Sequence, residues 1–81
     1  QVLLNVRVAK RFDPLKEPAV VEAARQVERR FEGRGRIVLR ASGTEPVIRV
    51  MVEGYDAGLV KQGAREIAAV VEAVAAPAKG H

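Results

Sequence analysis

Hydrophobic and polar residues alternate from Val2 to Val8, with Val2, Leu4, Val6 and Val8 on one side and Asn5 and Arg7 on the other. A period of two marks a half-buried strand, because successive side chains leave a strand on opposite faces. Asp13-Pro14 closes this segment, and Pro18 suits the first turn of a helix, where its missing N–H costs nothing. The period then changes. Val20, Ala24, Val27 and Phe31 recur at spacings of four, three and four, one face of a helix whose other side carries Glu22, Arg25, Gln26, Glu28, Arg29 and Arg30. Gly33 and Gly35 are expected to stop that helix. Arg36 to Arg40 and Val47 to Glu53 read as two strands joined by a short loop, with Gly54 ending the second. Asp56 is a good N-cap for a last helix whose buried stripe is Val60, Ala64, Ile67, Val71 and Val74. Gly58 and Gly63 weaken that helix by roughly 1 kcal/mol each relative to alanine, and Pro77 ends it. The order β-α-β-β-α predicts an α+β fold: a small antiparallel sheet with two helices packed on one face.

The hairpin between the second and third strands holds the candidate chemistry. Pairing Arg40 with Val47 sets Leu39 against Ile48 and Ile37 against Val50, apolar against apolar. Arg36 and Arg40 then share the opposite face with Arg49 and Met51. In that register Arg40 and Arg49 are diagonal neighbours, on the order of 7–8 Å apart by backbone spacing. Two guanidinium groups so placed repel unless an anion lies between them. A slip of one residue would separate them onto opposite faces. Between the arginines lies Ser42-Gly43-Thr44. Both hydroxyls can donate to a phosphate oxygen, Gly43 permits a tight turn and close approach, and successive N–H groups in such a turn can form an anion nest. Arginine adds a planar fork matched to phosphate. Pro46 biases Glu45 toward an extended conformation. Glu45 would orient an arginine, meet another domain or simply be solvated. An ordinary hairpin loop fits the same residues, since serine, glycine, threonine and proline are common in turns.

Bulk properties narrow the classes without choosing one. At 81 residues the chain is one small domain. It has no cysteine, and its single histidine is the terminal His81. Disulfides, thiolate metal sites and histidine-based triads are therefore excluded within it. The net charge of +4 suits nucleic acid, an anionic membrane or a phosphorylated small molecule, and equally a solvated arginine-rich surface. No run approaches a membrane span of about 20 apolar residues, and no signal peptide is expected. The start at Gln1-Val2-Leu3-Leu4 is already strand-like, as in a domain cut from a longer protein. The domain is expected over residues 1–76, with 77–81 a tail that a cloning remnant would also explain.

The stretch Arg40-Ala41-Ser42-Gly43-Thr44-Glu45-Pro46, continued by Val47-Ile48-Arg49-Val50-Met51-Val52-Glu53, closely resembles the C-terminal domain of the α-D-phosphohexomutases. Arg49-Val50-Met51-Val52-Glu53 is similar to the phosphoglucosamine mutase branch in particular. Gly43-Thr44-Glu45 leans the same way, standing where phosphomannomutase/phosphoglucomutase relatives often have Asn-Thr-Thr. Gln1 to Val8 looks like the start of the same domain, so the resemblance covers nearly the whole chain.

That resemblance implies a TATA-binding-protein-like fold and a role in a cytoplasmic isomerase of amino-sugar and cell-wall precursor synthesis. In such an enzyme a phosphoserine exchanges its phosphoryl group with a hexosamine or hexose phosphate. It implies further that this domain binds the phosphate not reacting at that moment, through Arg40, Ser42, Gly43, Thr44 and Arg49, with Glu45 and Pro46 supporting the loop. The catalytic serine and the Mg²⁺ ligands would lie in other domains. No catalytic residue and no metal ligand are therefore expected here, and the isolated chain should be inactive. The domain would move to close the active site, with open-face residues such as Val38 and Met51 facing the other domains. A close alternative is the same domain of a phosphomannomutase/phosphoglucomutase, whose discriminating residues would lie outside this chain; two further rivals predict otherwise. A basic nucleic-acid module should carry stacking aromatics, yet only Phe12, Phe31 and Tyr55 exist, and Phe31 reads as core. An oligomerisation domain would use the open sheet edge.

Overall fold

The computed structural model describes residues 1–75, so Pro77 and the expected 77–81 tail lie outside the described residues. Its elements are β1 (Val2–Arg7), a 3₁₀ turn (Pro14–Lys16), α1 (Pro18–Arg30), β2 (Gly35–Ala41), β3 (Val47–Gly54) and α2 (Ala57–Ala75). The three strands form one sheet in the order β1-β3-β2, antiparallel throughout. The architecture is the α+β sheet-and-two-helix arrangement that the periodicities predict.

Each element starts and stops for local reasons. Asp13 caps the 3₁₀ turn by accepting the Leu15 N–H at 2.9 Å. Pro18 opens α1 at its first position. The Asp56 carboxylate accepts the Leu59 N–H at 3.1 Å, and its carbonyl takes the first helical bond from Val60 at 2.9 Å. It is thus the N-cap that its residue type suggests. Helix α1 ends at Phe31, whose N–H bonds back to the carbonyls of Glu28 and Arg29. Glu32 and Gly33 then turn the chain with positive φ values of 51° and 82°.

The core lies between the helices and one sheet face. Val6, Val20, Val27, Phe31, Leu39, Ile48, Val50, Val52, Val60, Ala64, Ile67 and Val71 are all buried there, and no polar or charged residue is buried among the described residues. Val74, predicted in the α2 stripe, is half-buried against this core.

Two glycines play a different part from the one their sequence positions suggest. Gly35, expected as a helix stop, is the first residue of β2 and pairs with Gly54. A Cβ at Gly54 would come within 2.5 Å of the Phe31 ring, and one at Gly35 would strike the same ring. The paired glycines thus leave the hole that Phe31 fills. Gly63 sits where α2 crosses α1, and a Cβ there would lie 2.5 Å from Val27 Cγ1. Its cost in helix propensity is offset by close helix packing.

The hairpin register corrects the expected one by two residues. Arg40 lies opposite Arg49, Leu39 opposite Val50 and Ile37 opposite Val52. The faces survive because a slip of two preserves strand periodicity. The physical reason for the observed choice is Phe31: the expected register would set Gly35 against Val52 instead of Gly54, closing the space for the ring.

Candidate functional site

The face of the sheet away from the helices is built in rows. Asn5, Arg49 and Arg40 lie side by side across β1, β3 and β2; Leu3, Met51 and Val38 form the next row; Glu53 and Arg36 are paired beyond it. Arg36, Arg40 and Arg49 join Leu3, Val38 and Met51 around a shallow depression of about 280 Å³. Leu3 is 57% exposed, an apolar contribution to this face that the alternation over Val2 to Val8 did not single out.

Arg40 and Arg49 are cross-strand partners rather than diagonal neighbours. Directly opposed residues have Cβ atoms only about 4.5–5.5 Å apart, and like charges so placed destabilise a sheet. No carboxylate lies within 4.0 Å of either guanidinium among the described residues. Both side chains are exposed, so solvent screens the repulsion while both forks stay free to receive an anion. The correction in register therefore brings these two cations closer together than the expected pairing did.

Residues 42–46 connect the strands beyond this row. The Ser42 N–H donates to the Val47 carbonyl at 2.8 Å, and Val47 N–H donates to Glu45 at 2.8 Å. Ser42 Oγ accepts from the N–H groups of Thr44 at 3.4 Å and Glu45 at 3.3 Å, a serine turn that rounds off the loop. The expected anion nest is modified accordingly. The Thr44 and Glu45 N–H groups are aimed at Ser42 Oγ by long bonds, while the Ser42 hydroxyl proton and the Gly43 N–H have no partner among the described residues. Gly43 does not adopt positive φ, and a Cβ there would meet nothing within 4 Å. Nothing within the described chain requires glycine at that point.

Two tethers attach the loop to the segment after β1. Val8 N–H donates to the Pro46 carbonyl at 2.8 Å, which holds the loop exit against the end of β1. Arg11 Nη1 donates to the Gly43 carbonyl at 2.7 Å and to the Ser42 carbonyl at 3.2 Å. Arg11 was not among the residues the sequence pointed to. It lies between recognisable elements, in a stretch without periodicity, and no local pattern ties it to a loop 31 residues away. Glu45 reaches Arg7 at 4.0 Å with both side chains largely exposed, a long, solvated contact.

Residues 3–70 match the family model described as "Phosphoglucomutase/phosphomannomutase, C-terminal domain". The chain belongs to that family. The loop and both opposed arginines lie within the matched residues. The chain is 57% identical over 74 residues to a phosphoglucosamine mutase of Haemophilus influenzae (strain PittEE), covering 91% of this chain and 17% of the relative. It is 51% identical over 76 residues to one from Ectopseudomonas mendocina (strain ymp), covering 94% and 17%. A third, from Pasteurella multocida (strain Pm70), is 56% identical over 73 residues, covering 90% and 16%. The chain thus spans about 17% of the length of the first relatives it matches, as one C-terminal domain of this family.

Proposed function

We propose that this chain is the phosphate-gripping domain of a phosphoglucosamine mutase, an enzyme that interconverts glucosamine 6-phosphate and glucosamine 1-phosphate. In this reading it holds whichever phosphate of the sugar is not reacting. The observation that carries the proposal is the pairing of Arg40 with Arg49 across the hairpin, without a carboxylate partner among the described residues, beside the Ser42–Thr44 loop. An isolated like-charge pair is unfavourable, whereas two guanidinium forks around one phosphate make charge-assisted bonds worth roughly 1.5–3 kcal/mol each. Ser42 and Thr44 supply hydroxyl donors, and the Gly43 N–H supplies a backbone donor.

A grip of this kind contributes to turnover by orientation. Holding the distal phosphate fixes the sugar so that the reacting oxygen and phosphorus stay in line elsewhere in the enzyme. It also suits a substrate that must be accepted in two orientations, because phosphate is the group common to both ends of a sugar bisphosphate. The amino-sugar assignment is supported by the similarity to phosphoglucosamine mutases. Mg²⁺ would assist phosphoryl transfer in such an enzyme. Among the described residues no group of three or more His, Cys, Asp or Glu could hold a metal ion, and in this reading its ligands lie in the other domains of the enzyme. Phosphorylated hexosamine as substrate makes the cytoplasm the expected site of action.

Backbone-amide NMR of the chain, titrated with inorganic phosphate and with glucosamine 6-phosphate, tests the reading. Shifts should centre on residues 40–49 for both ligands. Shifts confined to the basic face of α1, around Arg25 and Arg29, would overturn it.

A further inference from the structure

Arg11 holds two consecutive carbonyls of the loop with one nitrogen, Gly43 at 2.7 Å and Ser42 at 3.2 Å. In a trans peptide the C=O and the following N–H point in opposite directions within one plane. Anchoring the Ser42 carbonyl therefore turns the Gly43 N–H away from Arg11, and anchoring the Gly43 carbonyl does the same for the Thr44 N–H. The Thr44 N–H is also the group that meets Ser42 Oγ. One side of the loop thus presents carbonyls to a cation, while the other presents N–H groups together with the serine hydroxyl.

Besides Arg11, the loop is held at its base by Ser42 N–H to Val47 and Val47 N–H to Glu45, and at its tip only by the long contacts of 3.4 and 3.3 Å from the Thr44 and Glu45 N–H groups to Ser42 Oγ. None of these holds the Gly43 peptide, whose orientation is fixed from the Arg11 side. A guanidinium against a carbonyl also polarises the peptide and strengthens its N–H as a donor. Arg11 is itself held in place. Phe12 packs against the core, and Asp13 caps the turn that begins at the buried Pro14.

We propose that Arg11 is a positioning residue for anion binding: it acts from behind the loop, setting the peptides on either side of Gly43 so that the Gly43 N–H faces the phosphate and the Thr44 N–H stays on Ser42 Oγ, leaving the serine hydroxyl proton for the ligand. The proposal rests on the phosphate-gripping reading above. In this role Arg11 does not touch the ligand.

The test compares the chain with its Arg11→Met, Arg11→Lys and Arg40→Ala variants by amide NMR and thermal melting, with inorganic phosphate as the probe. Arg11→Met should move the Gly43 and Thr44 amides before any phosphate is added. It should weaken phosphate binding on the order of tenfold, the contribution of about one donor bond to a charged group, and leave a cooperative melting transition, lowered only slightly because both Arg11 bonds are exposed. Arg11→Lys should recover affinity only as far as it restores those two amide positions. Unchanged affinity in Arg11→Met, with Arg40→Ala weakened, would overturn the positioning role and leave the phosphate site standing. Full recovery of affinity by Arg11→Lys with the loop amides still displaced would also overturn it, because Arg11 would then act by charge alone. A wild-type chain with no response at residues 40–49 would instead overturn the phosphate-gripping reading, and this inference with it.

Discussion

The two ends of the β2–β3 hairpin use glycine and arginine in opposite ways. At one end Gly35 and Gly54 face each other, and their missing side chains make the space that Phe31 fills. The Phe31 ring meets Tyr55 edge-on at 6.1 Å, and the Arg34 guanidinium lies 4.5 Å from the centre of the Tyr55 ring. Every group there is explained by packing. At the other end Gly43 stands in open space, and Arg40 faces Arg49 with no acid within reach among the described residues. Packing explains nothing about that choice of residues. A residue that the fold requires can be accounted for by its neighbours, whereas one that the fold merely tolerates calls for a partner from outside.

Substitutions at the two ends should separate these uses. The largest effect is expected for Phe31→Ala, which empties a fully buried ring site and should cost about 3–5 kcal/mol of unfolding free energy in denaturant titration. A cost below 1 kcal/mol would mean that the glycine-lined hole is not held open by the ring. A sharper contrast comes from the same change made at each end. Gly54→Ala forces a methyl group against Phe31 and should destabilise by about 1–3 kcal/mol. Gly43→Ala meets nothing within 4 Å and should stay within about 0.5 kcal/mol of wild type, while perturbing the phosphate response of residues 40–49. Equal stability losses at the two positions would erase the distinction.

The smallest effect concerns a cation that does have a partner. Arg30 joins α1 to Glu66 of α2 through two parallel bonds of 2.7 and 2.8 Å. The hydrogen bonds from Arg30 hold the Glu66 carboxyl below its ordinary range. Because the folded value is the lower one, the stabilisation is present above the unfolded carboxylate range and fades as pH falls through the folded value. The side chains are 39% and 40% exposed, so solvent limits the pair to less than about 1 kcal/mol. Glu66→Gln should lower the melting midpoint slightly at neutral pH, and the difference from wild type should vanish in acid. A difference that persisted below the carboxylate range would show that the ion pair is not its source.

Much of this architecture was legible from residue order. The period-two runs named the strands and their faces, and the four-three-four spacing from Val20 to Phe31 named the buried side of α1. Asp56 announced its cap, and the loop motif carried the family. Three particulars were not legible. Apolar residues still oppose apolar residues after a two-residue slip, so periodicity alone left the Arg40 partner undetermined. Gly35 looked like a helix stop because the need for space beside Phe31 arises only once α1 lies over the sheet. Arg11 had no pattern to mark it, since its carbonyl partners are distant in the chain.

Local sequence therefore specified which residues face the core and which loop carries the family's motif, because periodicity, capping and turn preferences act over a few residues. The exact opposition of Arg40 and Arg49, and the guanidinium behind the loop, were decided in three dimensions. The volume of one phenylalanine ring selected the register, and the docking of the segment after β1 brought Arg11 to the carbonyls of Ser42 and Gly43.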